Sequence, residues 1–255
     1  MSSFASYPSL KDRAVFVSGG GSGIGASIVE HFAAQGAKVG FVDIDEAASK
    51  ALGAKIAAAG RPEPLFAKCD VRDVKAYQAV IAEVGDSLGA ITVLVNNAAR
   101  DDRHSLEEVT PAYWDERIAV NLRHQFFAIQ TIAPGMKKAG GGSIVNFSSV
   151  SYHTMTANLA VYQAAKAAVI GMTRGLARDL GPDHIRLNSI TPGWIMTQRQ
   201  IDLWLTPEAE AGLMQAQCLK EKLYPPDIAR MALWLAADDS RLVTAQNFVV
   251  DGGRM

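Results

Sequence analysis

Ser18-Gly-Gly-Gly-Ser-Gly-Ile-Gly25 is a glycine-rich turn between two segments of different periodicity. The apolar run Arg13–Ser18 before it predicts a buried strand, and Ile24–Gln35 after it predicts a helix that ends before Gly36. Glycine lets the backbone turn tightly and approach a pyrophosphate, and the following helix offers unpaired N–H groups and a positive dipole. A strand, this turn and a helix in that order indicate a nucleotide-binding unit.

Asp43 supports this interpretation and indicates which nucleotide binds. The next predicted strand, Lys38–Asp43, ends on a carboxylate, which can accept hydrogen bonds from both hydroxyls of an adenosine ribose and would repel a 2′-phosphate. Ile44 follows it, and the glycine turn contains no Lys or Arg. We therefore expect NAD rather than NADP, the alternative being a surface Asp that caps a turn.

The rest of the chain repeats the alternation of strand and helix. Further strands are predicted at Pro64–Cys69, Ile91–Val95, Gly142–Ser148, Ile185–Ile190 and Asn247–Val250, and further helices at Glu46–Ala59, Val74–Gly85, Ala112–Lys138 and Val161–Leu180. Pro192–Thr206 is the only long stretch late in the chain that we expect to be irregular. This pattern predicts an α/β fold, a single doubly wound Rossmann-type domain over residues 1–255 with a seven-stranded parallel sheet and helices on both faces.

Composition narrows the class of protein. The 255 residues are 49% hydrophobic and 20% charged, and 25 basic residues balance 26 acidic ones, so we expect no nucleic-acid or membrane partner. The N-terminus lacks signal-peptide features and no apolar run reaches the roughly 18 residues of a membrane span, which favours a cytoplasmic protein. Cys69 and Cys218 lack metal-ligand spacing, so we expect no metal site and two buried thiols in a reducing compartment.

Tyr162 and Lys166 are candidate catalytic residues. They lie one helical turn apart on a predicted helix, so their side chains share a face. Tyrosine, with an ordinary pKa near 10, is a poor base at neutral pH, and a nearby ammonium favours its phenolate. Ser149, just past the fifth predicted strand, could hydrogen-bond the reacting oxygen. Alone, such a pair is most often ordinary helix surface, but beside a nucleotide-binding turn it predicts proton transfer.

Taken together, these motifs resemble the short-chain dehydrogenase/reductase superfamily over nearly the whole chain. The matching segments are Ser18–Gly25 (Ser18 for the usual Thr), Asp70-Val71, Asn96-Asn97-Ala98-Ala99 (Ala99 for the usual Gly), Asn121, Ser149, Tyr162-x-x-x-Lys166 and Pro192-Gly193 with Thr197. The resemblance implies that Tyr162 is the general base or acid, that Ser149 orients the substrate and that Lys166 lowers the tyrosine pKa and holds the nicotinamide ribose. Asn121 would hold a water of the proton relay.

The same resemblance implies a set of cofactor contacts. Asp70 and Val71 would touch adenine, Asn97 the adenosine ribose, and Ile195 and Thr197 the nicotinamide carboxamide. The full predicted NAD site is Gly19, Ser22, Gly23, Ile24, Gly25, Asp43, Asp70, Val71, Asn97, Tyr162, Lys166, Pro192, Ile195 and Thr197.

A narrower likeness, to bacterial sugar 1-dehydrogenases, suggests the substrate. Asp101-Asp102-Arg103-His104, Asn121-Leu122-Arg123-His124 and Ala216–Lys220 are among the segments that carry it. It implies NAD-dependent oxidation of C1 of an aldopyranose (D-xylose, L-arabinose, D-galactose or L-fucose) to the lactone. A polyol needs fixed donors and acceptors, for which the candidates are Ser149, His104, His153, Gln163 and Trp194.

Other functions remain open from the sequence. A 3-oxoacyl thioester reductase or a polyol dehydrogenase would share the fold, and a nucleotide-sensing binding protein is the non-enzymatic alternative. The family resemblance also implies a homotetramer, and the Ala-rich helix Val161–Leu180 would permit close contact between subunits.

Overall fold

Seven apolar segments form one parallel sheet in the computed structural model, which describes residues 4–255. They are β1 (Ala14–Ser18), β2 (Lys38–Asp43), β3 (Leu65–Lys68), β4 (Ile91–Asn96), β5 (Gly142–Phe147), β6 (Ile185–Pro192) and β7 (Asn247–Val250). The strand order is β3-β2-β1-β4-β5-β6-β7, and each neighbouring pair is parallel. The predicted doubly wound α/β fold is thus confirmed.

Helices cover both faces of this sheet. They are α1 (Gly23–Ala34), α2 (Glu46–Ala58), α3 (Val74–Leu88), α4 (Pro111–Ile118), α5 (His124–Lys138), α6 (Ala160–Leu180), α7 (Gln198–Trp204), α8 (Pro207–Ala216) and α9 (Pro225–Ala236). Because successive strand residues point to opposite faces, β1 contributes to two cores. Val15 and Val17 pack with Phe32 of α1 and Ile228 of α9, whereas Phe16 belongs to the core on the other face.

The order of the strands reverses beside β1, which pairs with β2 on one side and β4 on the other. At such a switch point the connections leave in opposite directions and open a crevice beyond the carboxyl ends of the strands. Ser18 of β1 is in register with Asn96 of β4, which is in register with Asn146 of β5. The Asn96 side chain also donates a buried hydrogen bond to Asn146 Oδ1 (2.9 Å), which ties β4 to β5 at this edge.

Two predicted segments need correction. The helix expected over Ala112–Lys138 is interrupted at Ala119–Arg123, where one π-helical turn separates α4 from α5. Pro192–Thr206, expected to be irregular, contains α7, whose first turn is capped by the Thr197 side chain accepting a hydrogen bond from Gln200 N (3.3 Å).

The cysteine prediction is half wrong, because Cys69 is buried but Cys218 is exposed. Within residues 4–255 the helices are too short or too polar to cross a membrane. The same part of the chain holds no group of three or more His, Cys, Asp or Glu side chains placed to bind a metal ion.

Candidate active site

The glycine turn connects β1 to α1 and permits two close backbone approaches. Gly19 has a positive φ of 67°, and a Cβ there would lie 2.8 Å from Ala98 Cα. A Cβ on Gly25 would lie 1.8 Å from the Gly19 carbonyl oxygen, so any larger residue would push α1 away from the turn. The turn therefore brings the N-terminus of α1 to the crevice, where it can accept an anionic group.

Ser18 and Asn97 hold this turn against the end of β4. Ser18 Oγ accepts hydrogen bonds from the backbone N–H groups of Asn97 and Ala98 (both 3.1 Å). The Asn97 side chain donates to the carbonyls of Ser18 (3.2 Å) and Gly19 (2.9 Å). The Asn97 amide thus holds the glycine turn in position from within the protein. The family resemblance implies that Asn97 also contacts the adenosine ribose.

Asp43 lies at the end of β2 and faces the same turn. Its carboxylate accepts hydrogen bonds from Gly21 N (2.8 Å) and Asp45 N (3.0 Å), which fix its orientation. The neighbouring Ile44 is 59% exposed and offers no charge. A half-buried carboxylate with a fixed orientation can receive a pair of ribose hydroxyls, as the sequence predicts.

Asp70 and Val71 follow β3 and line the crevice beyond Asp43. Hydrogen bonds from the Arg72 side chain, at 2.9 and 3.0 Å, lower the pKa of Asp70. Arg72 also pairs with Glu116, so its charge is already compensated.

Ser149, Tyr162 and Lys166 lie together at the carboxyl end of β5. Tyr162 and Lys166 project from the first turns of α6, and the Lys166 Nζ atom is 5.7 Å from the centre of the tyrosine ring. Lys166 is 1% exposed and donates a hydrogen bond from Nζ to the Phe147 carbonyl (2.8 Å). The Ser149 hydroxyl interacts with Tyr162 and lowers the pKa of the tyrosine. The structure therefore brings together the three predicted catalytic side chains.

Burial shifts the titration of both ionisable groups in this cluster. It lowers the pKa of Lys166 to about 7, against the opposing charge of Asp101. It also raises the pKa of Tyr162, as does Asp101, whereas the bond with Ser149 and the charge of Arg103 lower it. Desolvation thus acts against the charged form of both groups, and the lowering of the tyrosine pKa by Lys166 stays a prediction from the sequence.

Asn121 occupies the π-helical turn and is fully buried. Its side chain accepts from Arg100 N (2.9 Å) and donates to the carbonyls of Arg100 (3.1 Å) and Arg117 (3.0 Å). These bonds hold the loop that follows β4. The side chain of Asn121 is thus engaged with backbone and does not line the crevice. π-turns inside helices are frequent at functional sites, and this one places an amide where a regular helix would not.

The loop after β4 is joined to α7 across the mouth of the crevice. Gln200 donates to Asp101 Oδ2 (2.8 Å) and accepts from Trp194 Nε1 (2.9 Å). Arg199 pairs with Asp102 at 2.8 Å. The Arg103 guanidinium stacks on the Trp204 ring, 4.8 Å from its centre. We call residues 100–103 and α7 the lid.

Three of the predicted substrate residues lie outside the crevice. His104 is 6% exposed, is hydrogen-bonded through Nδ1 to Tyr113 (3.1 Å), and accepts from Val161 N through Nε2 (3.4 Å), so it caps the start of α6. Gln163 donates to the carbonyls of Ser151 and Thr156 and braces their loop. His153 is exposed and does not line the crevice. Ser149 and Trp194 do line it.

The crevice has a volume of about 820 Å³, in the upper part of the range of roughly 300–1,000 Å³ for small-molecule sites. Every predicted cofactor residue except Gly23 lines it. Gly23 supports it instead, since a Cβ there would lie 3.2 Å from Thr197 Cγ2. Sequence reasoning missed Gln200, Trp204 and Arg254, which also line the crevice. Only the N-cap pattern beginning at Thr197 could have indicated the first two.

The sequence is similar to those of known proteins over nearly its whole length. Residues 19–254 fit the family model described as enoyl-(acyl carrier protein) reductase. The chain is 51% identical over 251 residues to D-xylose 1-dehydrogenase of Caulobacter vibrioides, covering 98% of this chain and 99% of that protein. It is also 51% identical over 247 residues to a Rhizobium meliloti protein named probable galactose dehydrogenase GalD, covering 97% and 96%.

Solved structures share the fold, and among them are one complex with NADH and one with NADPH. A 7α-hydroxysteroid dehydrogenase solved with NADH and a 7-oxo bile acid conjugate superposes with a TM-score of 0.91 at 30% identity, covering 96% of each chain. A blue fluorescent protein from a metagenomic library, solved with NADPH, superposes with a TM-score of 0.87 at 35% identity, covering 96% of this chain and 99% of that chain.

Proposed function

Because the chain belongs to the short-chain dehydrogenase/reductase family, we propose that it oxidises C1 of an aldopyranose to the lactone with NAD as hydride acceptor. The observation that carries this proposal is the 51% identity, over nearly the whole chain, to two proteins named for sugar oxidation. The candidate substrates are D-xylose, L-arabinose, D-galactose and L-fucose.

Asp43 is the argument for NAD. The backbone N–H groups of Gly21 and Asp45 hold its carboxylate at the wall of the crevice, where it would accept the hydroxyls of an adenosine ribose. Arg72, a basic residue that follows Asp70 and Val71 along this wall, is already paired with Asp70 and Glu116. The site therefore fits a ribose with two free hydroxyls better than a phosphorylated one.

The residues of the catalytic cluster divide the chemistry. The residues that line the crevice, among them Tyr162 and Lys166, would hold NAD, which would supply the hydride acceptor when bound. Ser149 holds the hydroxyl oxygen of the sugar, and Tyr162 removes its proton as the hydride leaves C1. Lys166, held by the Phe147 carbonyl with its Nζ atom 5.7 Å from the centre of the tyrosine ring, favours the phenolate whenever it carries its proton.

The polar lid favours a sugar over an acyl chain. Asp101, Arg103 and Gln200 line the crevice, and an acyl chain would gain nothing from desolvating them. A polyol can exchange their hydrogen bonds with water for hydrogen bonds with its own hydroxyls.

NADH formation with a panel of aldoses and polyols, and NADH consumption with a 3-oxoacyl thioester, test the proposal directly. We expect turnover of at least one aldose, and loss of nearly all of it in Tyr162→Phe with NADH affinity within a few-fold of native. No turnover of any aldose together with good reduction of the thioester would overturn the substrate class. Nucleotide binding without any turnover would favour a sensor instead.

We further propose that the protein, as one domain over residues 1–255, works as a homotetramer in the cytoplasm. Support for the assembly comes from α6, where Ala164, Ala167, Ala168 and Gly171 are exposed on a helix that small side chains would allow to approach another closely.

A further inference from the structure

Two buried N–H donors on the lid have no partner within the protein. They are Nη1 of Arg103 and Nε1 of Trp204, and both side chains line the crevice. Most buried polar side-chain atoms in native proteins are hydrogen-bonded, and an unpaired charged donor is especially costly. Unpaired donors at the wall of a binding crevice are therefore candidates for ligand contacts.

The other polar groups of the lid are engaged within the protein. Gln200 is held between Trp194 and Asp101, and Arg199 pairs with Asp102. Arg103 and Trp204 instead contact each other through the guanidinium and the indole ring, 4.8 Å from its centre. This stack holds both side chains against each other, and neither of the two N–H groups has an acceptor among the described residues.

Arg103 also acts electrostatically on the catalytic cluster. The charge of Arg103 lowers the pKa of Tyr162, so the guanidinium is within electrostatic reach of the tyrosine hydroxyl. Asp101, two residues earlier on the same loop, raises the pKa of both Tyr162 and Lys166. Arg103, Trp204 and Tyr162 line the same crevice, so a ligand held by the first two would share that crevice with the base.

The neighbouring charges are already paired within the protein. Asp101 pairs with Arg199 (3.5 Å), and Asp102 pairs with Arg199 (2.8 Å) and Arg100 (3.2 Å). The two free N–H donors therefore need an acceptor from outside the protein, and the hydroxyl and ring oxygens of a sugar can accept from both.

We propose that Arg103 and Trp204 form a two-donor clamp that hydrogen-bonds oxygens of the sugar other than the C1 hydroxyl and so selects a polyhydroxylated substrate. This inference rests on the proposed function and assigns the residues that recognise the substrate within it.

The test is a cycle that combines protein and substrate changes. Trp204→Phe keeps an aromatic ring for the stack and removes the N–H, and Arg103→Lys keeps the charge and removes the planar fork. Each variant is measured with the best aldose of the panel and with its monodeoxy analogues at saturating NAD. Trp234→Phe is the matched control, because Trp234 packs on Phe248 and does not line the crevice.

We expect the native enzyme to discriminate at least about tenfold in kcat/KM against one analogue that lacks an oxygen held by the clamp. Trp204→Phe or Arg103→Lys should lose about that factor with the parent sugar and little with the analogue, so that discrimination falls to within about threefold. The KM for NAD should stay within twofold, and Trp234→Phe should behave as native.

If both lid variants discriminate between the parent sugar and every analogue as strongly as the native enzyme does, the proposed clamp is wrong. Sugar oxidation itself would still stand. A native enzyme that oxidises no aldose would instead refute the proposed function on which the inference rests. Equilibrium binding of the sugar to the NAD complex of Tyr162→Phe, with and without Trp204→Phe, gives a second readout that does not depend on turnover. Equal sugar affinity in those two proteins would also count against the clamp.

Discussion

Asp43 is a single carboxylate on which cofactor choice should depend. In the native protein we expect kcat/KM with NAD to exceed that with NADP by at least about tenfold, equivalent to roughly 1.4 kcal/mol. Asp43→Asn keeps an acceptor for Gly21 N but removes the negative charge, so the preference for NAD over NADP should fall. Steady-state kinetics with both cofactors measure the two values of kcat/KM.

Asp45→Asn is the matched control for Asp43, because it removes a neighbouring charge in the same turn and keeps an oxygen for the N-cap bond to Ala48 N. An equal change of cofactor preference in both variants would assign the effect to net charge rather than to the position of Asp43.

Asp101 should affect the pH dependence of the reaction through Tyr162. Its negative charge raises the pKa of the tyrosine, and a base must be ionised to accept a proton. Asp101→Asn should therefore lower that pKa and move the acid limb of kcat/KM to lower pH. Arg103→Gln, which removes a positive charge, should move it to higher pH. A pH profile of each variant checks the sign, and shifts in the same direction would contradict the assignment.

At the scale of elements, the π-helical turn determines the position of the loop that carries Asp101 and Arg103. Asn121→Ala would leave Arg100 N and two backbone carbonyls without their partners. We expect the free energy of unfolding to fall by about 2–4 kcal/mol, and activity to fall with it. Urea unfolding of this variant beside Tyr162→Phe, which should lose activity but keep stability, is the measurement. Lost activity with native stability would instead favour the water-holding role that the family resemblance implies.

The strands and the glycine turn could be predicted because their causes are local. Val15, Phe16 and Val17 form an apolar run, and Gly19 and Gly25 are required by close backbone contacts within the same unit. The π-helical turn at Asn121 could not be predicted, because the buried side-chain amide is hydrogen-bonded to a loop about twenty residues earlier in the chain. His104 shows the same limit. Its polar character suggested a substrate contact, but its neighbours in space are Tyr113 and the first turn of α6.

For the whole molecule, the exposed face of α6 should lie between subunits. Light scattering should give four times the 27.2 kDa chain mass. Ala168→Glu would place a charge and extra volume in a close helix contact and should yield smaller species. Ala57→Glu on the exposed face of α2 is the control and should leave the mass unchanged. A monomeric native protein would contradict the assembly.

The reversal of strand order beside β1 has a consequence for how such an enzyme can diversify. The groups proposed to select the dinucleotide, the glycine turn and Asp43, follow β1 and β2, whereas the lid and the catalytic cluster follow β4, β5 and β6. Asp43 is hydrogen-bonded only to Gly21 and Asp45, on its own side of the reversal, so we expect substitutions there to alter cofactor preference with little effect on the lid. A designer could therefore exchange the lid between relatives to obtain new sugar preferences, and tune the coenzyme separately at Asp43. The strand order thus lets cofactor preference and sugar preference be varied separately in laboratory evolution.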